Sequence, residues 1–449
     1  MIPTTFNPKL WNVIYLGFCF MVLFTADYTV TNMQKTLITS IHEERPEFLV
    51  DGYTSLGITY TVFALSLWLG PSMVSLTGPR YGMALAALGY TIYIFAFNLE
   101  AAWAIYAVTV IGGVSGGLLW TAEGNYLVLN SDSSNISRNV GIFWVFLQSS
   151  SLCGNIFTFI KFEGKSRIDG DTRRQVIWVL GGVAAASILA FLLMRDIKTK
   201  PNKGEVQERK GFLNELKKTW NLFITKEILI LNITFCFTGM QHAFTYGVIS
   251  PSVGFTTAFG NQSKQLVALS GICIAIGEVS GGVCQVLLNR VFVRCKLGRS
   301  AVIVFGFLVQ LLSFSLIFIN LPNSASYGES YEEAIIHPSA AVAMLCSFML
   351  GLSDSCLNTQ NFSILAVLFP LDSAQSCALY KFIKSFLVGI GFFVSSHIGL
   401  HTQLMILAPA GAVSTLAFMY VDRYATKAKW ANEDWDSADE DHTGNMTKL

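Results

Sequence analysis

The chain is 449 residues long, 52% hydrophobic and only 13% charged, whereas roughly a quarter of a soluble domain is charged. With a mean hydropathy of +0.51 spread along its length, it is excluded from the ordinary soluble enzymes and reads as an all-α polytopic membrane protein whose main partner is the lipid bilayer. Thirty basic against 29 acidic residues leave a net charge of +1, so no overall field draws nucleic acid to it.

A crossing needs about 20 mainly apolar residues. Taken in chain order, twelve predicted spans fall near 11–31, 53–76, 82–98, 103–127, 140–160, 175–194, 228–249, 266–289, 300–320, 340–365, 376–396 and 402–421. The start lacks a basic n-region and the first run has no small-residue cleavage site, so that run is expected to stay as a span. The longest hydrophilic break divides the chain into an N-terminal six-helix half (1–195), a connector (196–226), a C-terminal six-helix half (227–421) and a tail (422–449). In the connector, Phe212, Leu216, Trp220 and Phe223 recur at helical spacing and predict a short amphipathic helix at the membrane surface. The acidic stretch 432–441 is expected to be disordered.

Orientation follows from Lys and Arg in short loops. The connector is rich in both, as are the loop after the eighth span (Arg290, Arg294, Lys296, Arg299) and the end of the twelfth (Arg423, Lys427, Lys429), which puts both termini in the cytosol. Lys161, Lys165, Arg167, Arg173 and Arg174 oppose this rule on the outer side. Asn261-Gln-Ser263 is then the one outward-facing glycosylation acceptor. The nine cysteines sit in or beside spans or, for Cys295, in a cytosolic loop, and make no disulfide framework.

Basic-x-Gly turns recur after the second span (Arg80-Tyr-Gly82) and the eighth (Lys296-Leu-Gly298), and Gly113 and Gly154 have counterparts in Gly351 and Gly391. A six-helix unit repeated in parallel about a long connector is the plan of the major facilitator fold, with two pseudo-symmetric halves. Four strings carry a closer similarity: Thr31-Asn-Met-Gln34; Leu119-Trp-Thr-Ala-Glu-Gly-Asn-Tyr126; Gly141-Ile-Phe-Trp144 with Gln148, Ser149 and Gly154-Asn155; and Gly351-Leu-Ser-Asp354 with Asn358-Thr-Gln360. They resemble the Unc-ninety-three-like (ion-channel regulatory protein) branch of the major facilitator superfamily, nearest within it to its short facilitator-domain-containing member. Glu123 stands where that group often has Gln, and Pro79 where facilitators usually place the Asp of their loop 2–3 motif. The resemblance implies the facilitator fold and membership of a group that holds transporters as well as proteins acting on a channel or a receptor.

Ionisable side chains in a bilayer cost a few kcal/mol on insertion scales and mark functional sites by default. They are Asp27 in the first span, Glu123 in the fourth, Glu278 in the eighth, Asp354 in the tenth, and Lys381 with Lys384 in the eleventh; His242 joins them in the seventh. In the facilitator arrangement the first, fourth, seventh and tenth spans line a central cavity. A carboxylate that alternately meets a Lys and water can take and release a proton. Plainer roles stand beside these: Asp27 and Glu123 read as nearer helix ends than centres, His242 fits a satisfied bundle histidine, and the two lysines can snorkel to the interface. Gln148, Asn155, Asn358 and Gln360 are candidate polar lining, with interhelical bonding the equal alternative. Gly112, Gly113, Gly116 and Gly117, like Gly277 and Gly281, have the small-xxx-small spacing of close helix packing.

Gly113-Val-Ser-Gly-Gly117 matches a hydrolase elbow but lies inside an apolar helix, and Gly164-Lys-Ser166 lacks the leading Gly of a phosphate loop. No nucleophile with its base is visible, His397 and His401 have no carboxylate beside them as metal ligands, and no cofactor is expected. Two functions fit: a secondary transporter of a small solute by alternating access, with proton exchange at Asp354, Glu278 or Glu123; or a non-transporting regulator or trafficking chaperone of an ion channel or receptor. The charges on cavity-facing spans favour the first.

Overall fold

The computed structural model describes residues 8–131, 135–195, 212–294, 298–369 and 372–446. Residues 196–211 of the connector, together with Cys295 and Lys296 of the predicted loop after the eighth span, lie outside them. Lipid offers no hydrogen bonds, so each crossing must satisfy its own backbone as a helix. The N-terminal half contains α1 (Pro8–Glu44), α2 (Gly52–Phe95), α3 (Ala102–Leu129), α4 (Ile136–Lys161) and α5 (Gly170–Leu192). The short α6 (Phe212–Phe223) follows, within the predicted connector. Next come α7 (Lys226–Ala243), a π-helical turn (Phe244–Val248), α8 (Ile249–Phe255), α9 (Ser263–Arg294), α10 (Gly298–Asn320), α11 (Ala340–Leu368), α12 (Ser373–Ser395) and α13 (Leu400–Met446).

Eleven helices among the described residues are long and apolar enough to cross a membrane, one fewer than the twelve predicted spans. The difference lies in α2, which runs on through the loop predicted between the second and third spans. Gly78 interrupts it with φ 73° and ψ 158°, a left-handed conformation that glycine adopts without a Cβ penalty, and Pro79 follows. The segment Gly52–Asn98 has 47 residues, about 70 Å at 1.5 Å per residue, more than twice the hydrocarbon thickness of about 30 Å. Counted as two crossings joined at Gly78, it restores twelve. The helix α1 is also longer than its apolar run. Its polar continuation is buried and bonded: Asn32 donates to Asn155 Oδ1 at 3.0 Å, and Gln34 donates to Ser55 Oγ at 2.6 Å while accepting from Tyr93 Oη at 2.5 Å. Asp27 therefore sits midway along α1, not near its end.

Buried side chains form two clusters. One consists of residues 13–194 with Val267 added, the other of residues 222–421 with Tyr53 and Leu56 added. The halves meet where α4 packs on α9 and α2 on α12. Polar ties cross this seam: Asn32 Nδ2 donates to the Val267 carbonyl at 3.2 Å, and Ser396 Oγ donates to Asp51 Oδ1 at 2.6 Å. Asp51 also caps α2 through Thr54 N at 2.8 Å and pairs with Lys35 at 2.5 Å. Burial alone pushes its carboxyl up; Lys35, Ser396 and the Thr54 amide outweigh that and bring it down to about 2.

The basic residues that oppose the loop rule are largely neutralised by ion pairs. Arg173, only 2% exposed, donates to Glu100 at 2.7 Å and to Glu44 at 2.8 Å. Arg45 reaches Glu100 at 3.0 Å, Arg167 reaches Glu43 at 2.8 Å and Lys165 reaches Asp169 at 2.6 Å. Glu100 adopts φ 49°, a conformation costly for a residue with a Cβ, at the centre of this group. At the other terminus the acidic stretch 432–441, where disorder is expected, continues α13 through Met446; adding residues to an existing helix avoids a second nucleation.

Candidate functional site

Close helix contacts prepare the site. A Cβ on Gly277 of α9 would strike the Phe348 carbonyl, and one on Gly351 of α11 the Ile274 carbonyl, so these helices touch backbone to backbone. Gly239 of α7 likewise leaves room only for the Lys384 carbonyl of α12. Glu278, Asp354 and Lys384 are thereby brought within electrostatic reach of one another.

Their hydrogen bonds form a chain. Gln148 of α4 donates to Glu278 Oε2 at 2.7 Å, linking the halves. Asp354 Oδ2 accepts from Asn358 Nδ2 at 2.7 Å and from Tyr246 Oη, in the π-helical turn, at 3.3 Å. Asn358 Oδ1 in turn accepts from Lys384 Nζ at 2.8 Å and Tyr380 Oη at 2.5 Å. Asp354 Oδ1 is buried and meets no donor within hydrogen-bond distance among the described residues, although the Gln241 amide is close enough to act on the carboxyl. Lys384 thus reaches Asp354 by way of Asn358, a polar relay of the kind a coupling site needs. π-Helical turns occur frequently at functional positions, and here one carries the Tyr246 hydroxyl to the carboxylate.

The two lysines divide. Lys381 does not join this chain: its Nζ lies 5.3 Å from the centre of the Trp120 ring and within electrostatic reach of Glu123. Glu123 is 5% exposed and has no hydrogen-bond donor among the described residues. Asp27 lies within electrostatic reach of Tyr28, Tyr60 and Tyr90 and has neither a donor nor a cation against it among the described residues. His242 stands between Tyr246, its ring centre 4.3 Å away, and Tyr60 at 6.2 Å, with Nδ1 unpartnered. Asn155 is taken up by Asn32 at the seam of the halves, an interhelical role, and Gln360 is buried on α11. His401, weighed as a metal ligand from sequence, stacks on Phe318 at 4.2 Å and bonds the Leu321 carbonyl at 2.9 Å.

Sequence reasoning passed over the tyrosines. Tyr246 follows His242, and Tyr380 precedes Lys384, by four residues, the spacing that puts side chains on one helical face; Tyr28 adjoins Asp27.

Two helical halves that meet at this seam, with Glu278 and Asp354 buried and Lys384 half-buried beside it, have the architecture of the major facilitator fold. Solved structures agree. A POT family transporter in complex with 5-aminolevulinic acid aligns with TM-score 0.66 at 14% identity, covering 92% of this chain and 96% of that one. The nucleoside transporter NupG aligns with TM-score 0.64 at 14% identity, covering 93% and 100%. At such identity these establish the fold alone. The family is given by sequence: the family model "Ion channel regulatory protein UNC-93" matches residues 49–419, and the chain belongs to that family. It is 36% identical over 442 residues to the UNC93-like protein MFSD11 of Xenopus tropicalis, covering 94% of this chain and 98% of that one.

Proposed function

We propose that this protein is a secondary transporter that moves a small solute by alternating access, with the Glu278–Asp354–Lys384 group as its coupling centre. The observation that carries this reading is the Gln148–Glu278 bond between the halves, continuous in electrostatic reach with Asp354 and Lys384. Rocking of one half against the other would break and remake that bond, exposing the carboxyls to water in turn. Proton exchange at Asp354, Glu278 or Glu123 supplies the coupling, and both termini lie in the cytosol. Asn261, exposed beside a cleft of about 610 Å³ lined by Glu43, Arg167 and Glu329, then faces outward as a glycosylation acceptor, and Asn261→Gln should abolish any glycan mobility shift.

The test is solute-driven proton movement in proteoliposomes across a broad solute panel. At least one solute should drive a pH change that Asp354→Asn abolishes while the variant purifies as a folded monodisperse protein. No flux for any solute would favour the second reading, a membrane regulator or trafficking chaperone of an ion channel or receptor, for which the matched family description speaks. On that reading Asp354→Asn leaves partner binding intact, and changes in 196–226 or the outer loops weaken it.

A further inference from the structure

The carboxyls singled out inside the predicted spans outnumber the cations there: Asp27, Glu123, Glu278 and Asp354 against Lys381 and Lys384. Lys384 serves Glu278 and Asp354, and Lys381 serves Glu123, which leaves Asp27 with no counter-charge among the described residues. A carboxylate away from water must be covered by a cation or a proton. Tyr28 follows Asp27 directly in α1 and lies within electrostatic reach of Asp27, Glu278 and Asp354.

Aromatic rings lie beside Asp27. Phe24, three residues before it, joins Tyr28 at 4.8 Å and Tyr90 at 6.0 Å between ring centres, while Tyr60, within electrostatic reach of Asp27, meets Phe392 at 5.7 Å. Asp27, Tyr28 and Tyr60 are only partly buried although they lie well inside their helices, so they border open space. Phenol and phenyl faces carry negative charge density and attract a poorly hydrated cation, most strongly when water is excluded. A single carboxylate amid tyrosines is therefore complementary to an organic ammonium group. An anion would meet repulsion from Asp27, and a neutral solute would leave that carboxylate to be covered by a proton alone.

We propose that Asp27, with Tyr28, Tyr60 and Tyr90, forms the recognition site for an organic ammonium solute. The proposal rests on the transport reading for its biological sense: the ammonium is the cargo, and Glu278, Asp354 and Lys384 form the coupling centre across the seam from it. Asp27 receives the charged head and the rings enclose its alkyl or aryl groups.

Binding can be measured without transport. The full chain, purified in detergent, is titrated with benzylammonium and tetramethylammonium chloride, and thermal unfolding is followed by tryptophan fluorescence. Benzyl alcohol and sodium benzoate serve as neutral and anionic counterparts of the same shape, and sodium and potassium chloride control for simple ions. Benzylammonium should stabilise saturably, with apparent affinity about tenfold or more above benzyl alcohol, and Asp27→Asn should weaken it about tenfold. Tyr60→Leu should weaken it several-fold. Equal or stronger stabilisation by benzoate, benzyl alcohol or the inorganic cations, or no stabilisation by either ammonium salt, overturns the site, and the wild-type comparison needs no variant to fold. So does unchanged affinity in a folded Asp27→Asn protein. Ammonium binding without flux in the liposome experiment overturns transport alone; flux of other solutes without ammonium binding overturns this site alone.

Discussion

Replacing Lys384 by Met keeps an unbranched side chain one atom shorter and removes its charge and donors. The Nζ donates to Asn358 Oδ1 at 2.8 Å and interacts with both Asp354 and Glu278. Removing one partner of a buried charged group costs roughly 3–5 kcal/mol; because Lys384 is only half-buried, the lower end applies, about 3 kcal/mol, or about 10² in the folded-to-unfolded ratio. Adding Asp354→Asn removes a charge that has lost its cation. The amide oxygen at 354 can still accept from Asn358 and Tyr246, so the double variant should regain about 2 kcal/mol of that loss. Apparent melting midpoints of the three proteins in one detergent would rank them: wild type highest, the double variant next, Lys384→Met lowest. A double variant no more stable than Lys384→Met would refute the idea that Asp354 depends on Lys384 for its charge balance.

Two further outcomes follow from the ion pairs of Arg173 and from the seam between the halves. Arg173→Met strips Glu100 of its most buried cation, although Arg45 at 3.0 Å still covers part of the charge; a loss of about 3 kcal/mol is expected, and Glu100→Gln in the same protein should recover part of it in a double-variant cycle of melting midpoints. Asp51 titrates lower folded, at about 2, than the value near 3.9 of an unfolded chain, so its stabilisation is complete above about pH 5 and is lost as pH falls from about 4 towards 2. With its side chain 32% exposed, screening leaves about 1 kcal/mol; a melting-midpoint profile of Asp51→Asn against pH should therefore lack that acid limb, and an unchanged profile would contradict it.

Apolar run length located almost every crossing because lipid imposes it, but it could not say where polar helix residues are buried against other helices. Thr31-Asn-Met-Gln34 reads as the end of a span, yet in the fold Asn32 and Gln34 bond Asn155, Ser55 and Tyr93, and α1 runs on to Glu44. The Gly78 break is legible only as Gly-Pro, which the sequence reading took for a loop. Charge scarcity singled out Glu278, Asp354 and Lys384, which the fold does bring together. It could not separate Lys381 from Lys384, since that depends on which neighbour each meets: Trp120 for one, Asn358 for the other. The tyrosines escaped notice because an uncharged phenol costs little in a membrane and announces nothing by its presence.

The pairing of Arg167 and Arg173 bears on how the chain is made. Their acidic partners, Glu43, Glu44 and Glu100, all come earlier in the sequence, and synthesis runs from the N-terminus. When the segment around 161–174 emerges from the ribosome, the carboxylates that will receive its guanidinium groups have already been made, so the basic loop can meet its counterions at once. Moving those acids downstream of Arg173, as by circular permutation, would leave the same residues and the same final contacts but expose the nascent cations while they are still uncompensated.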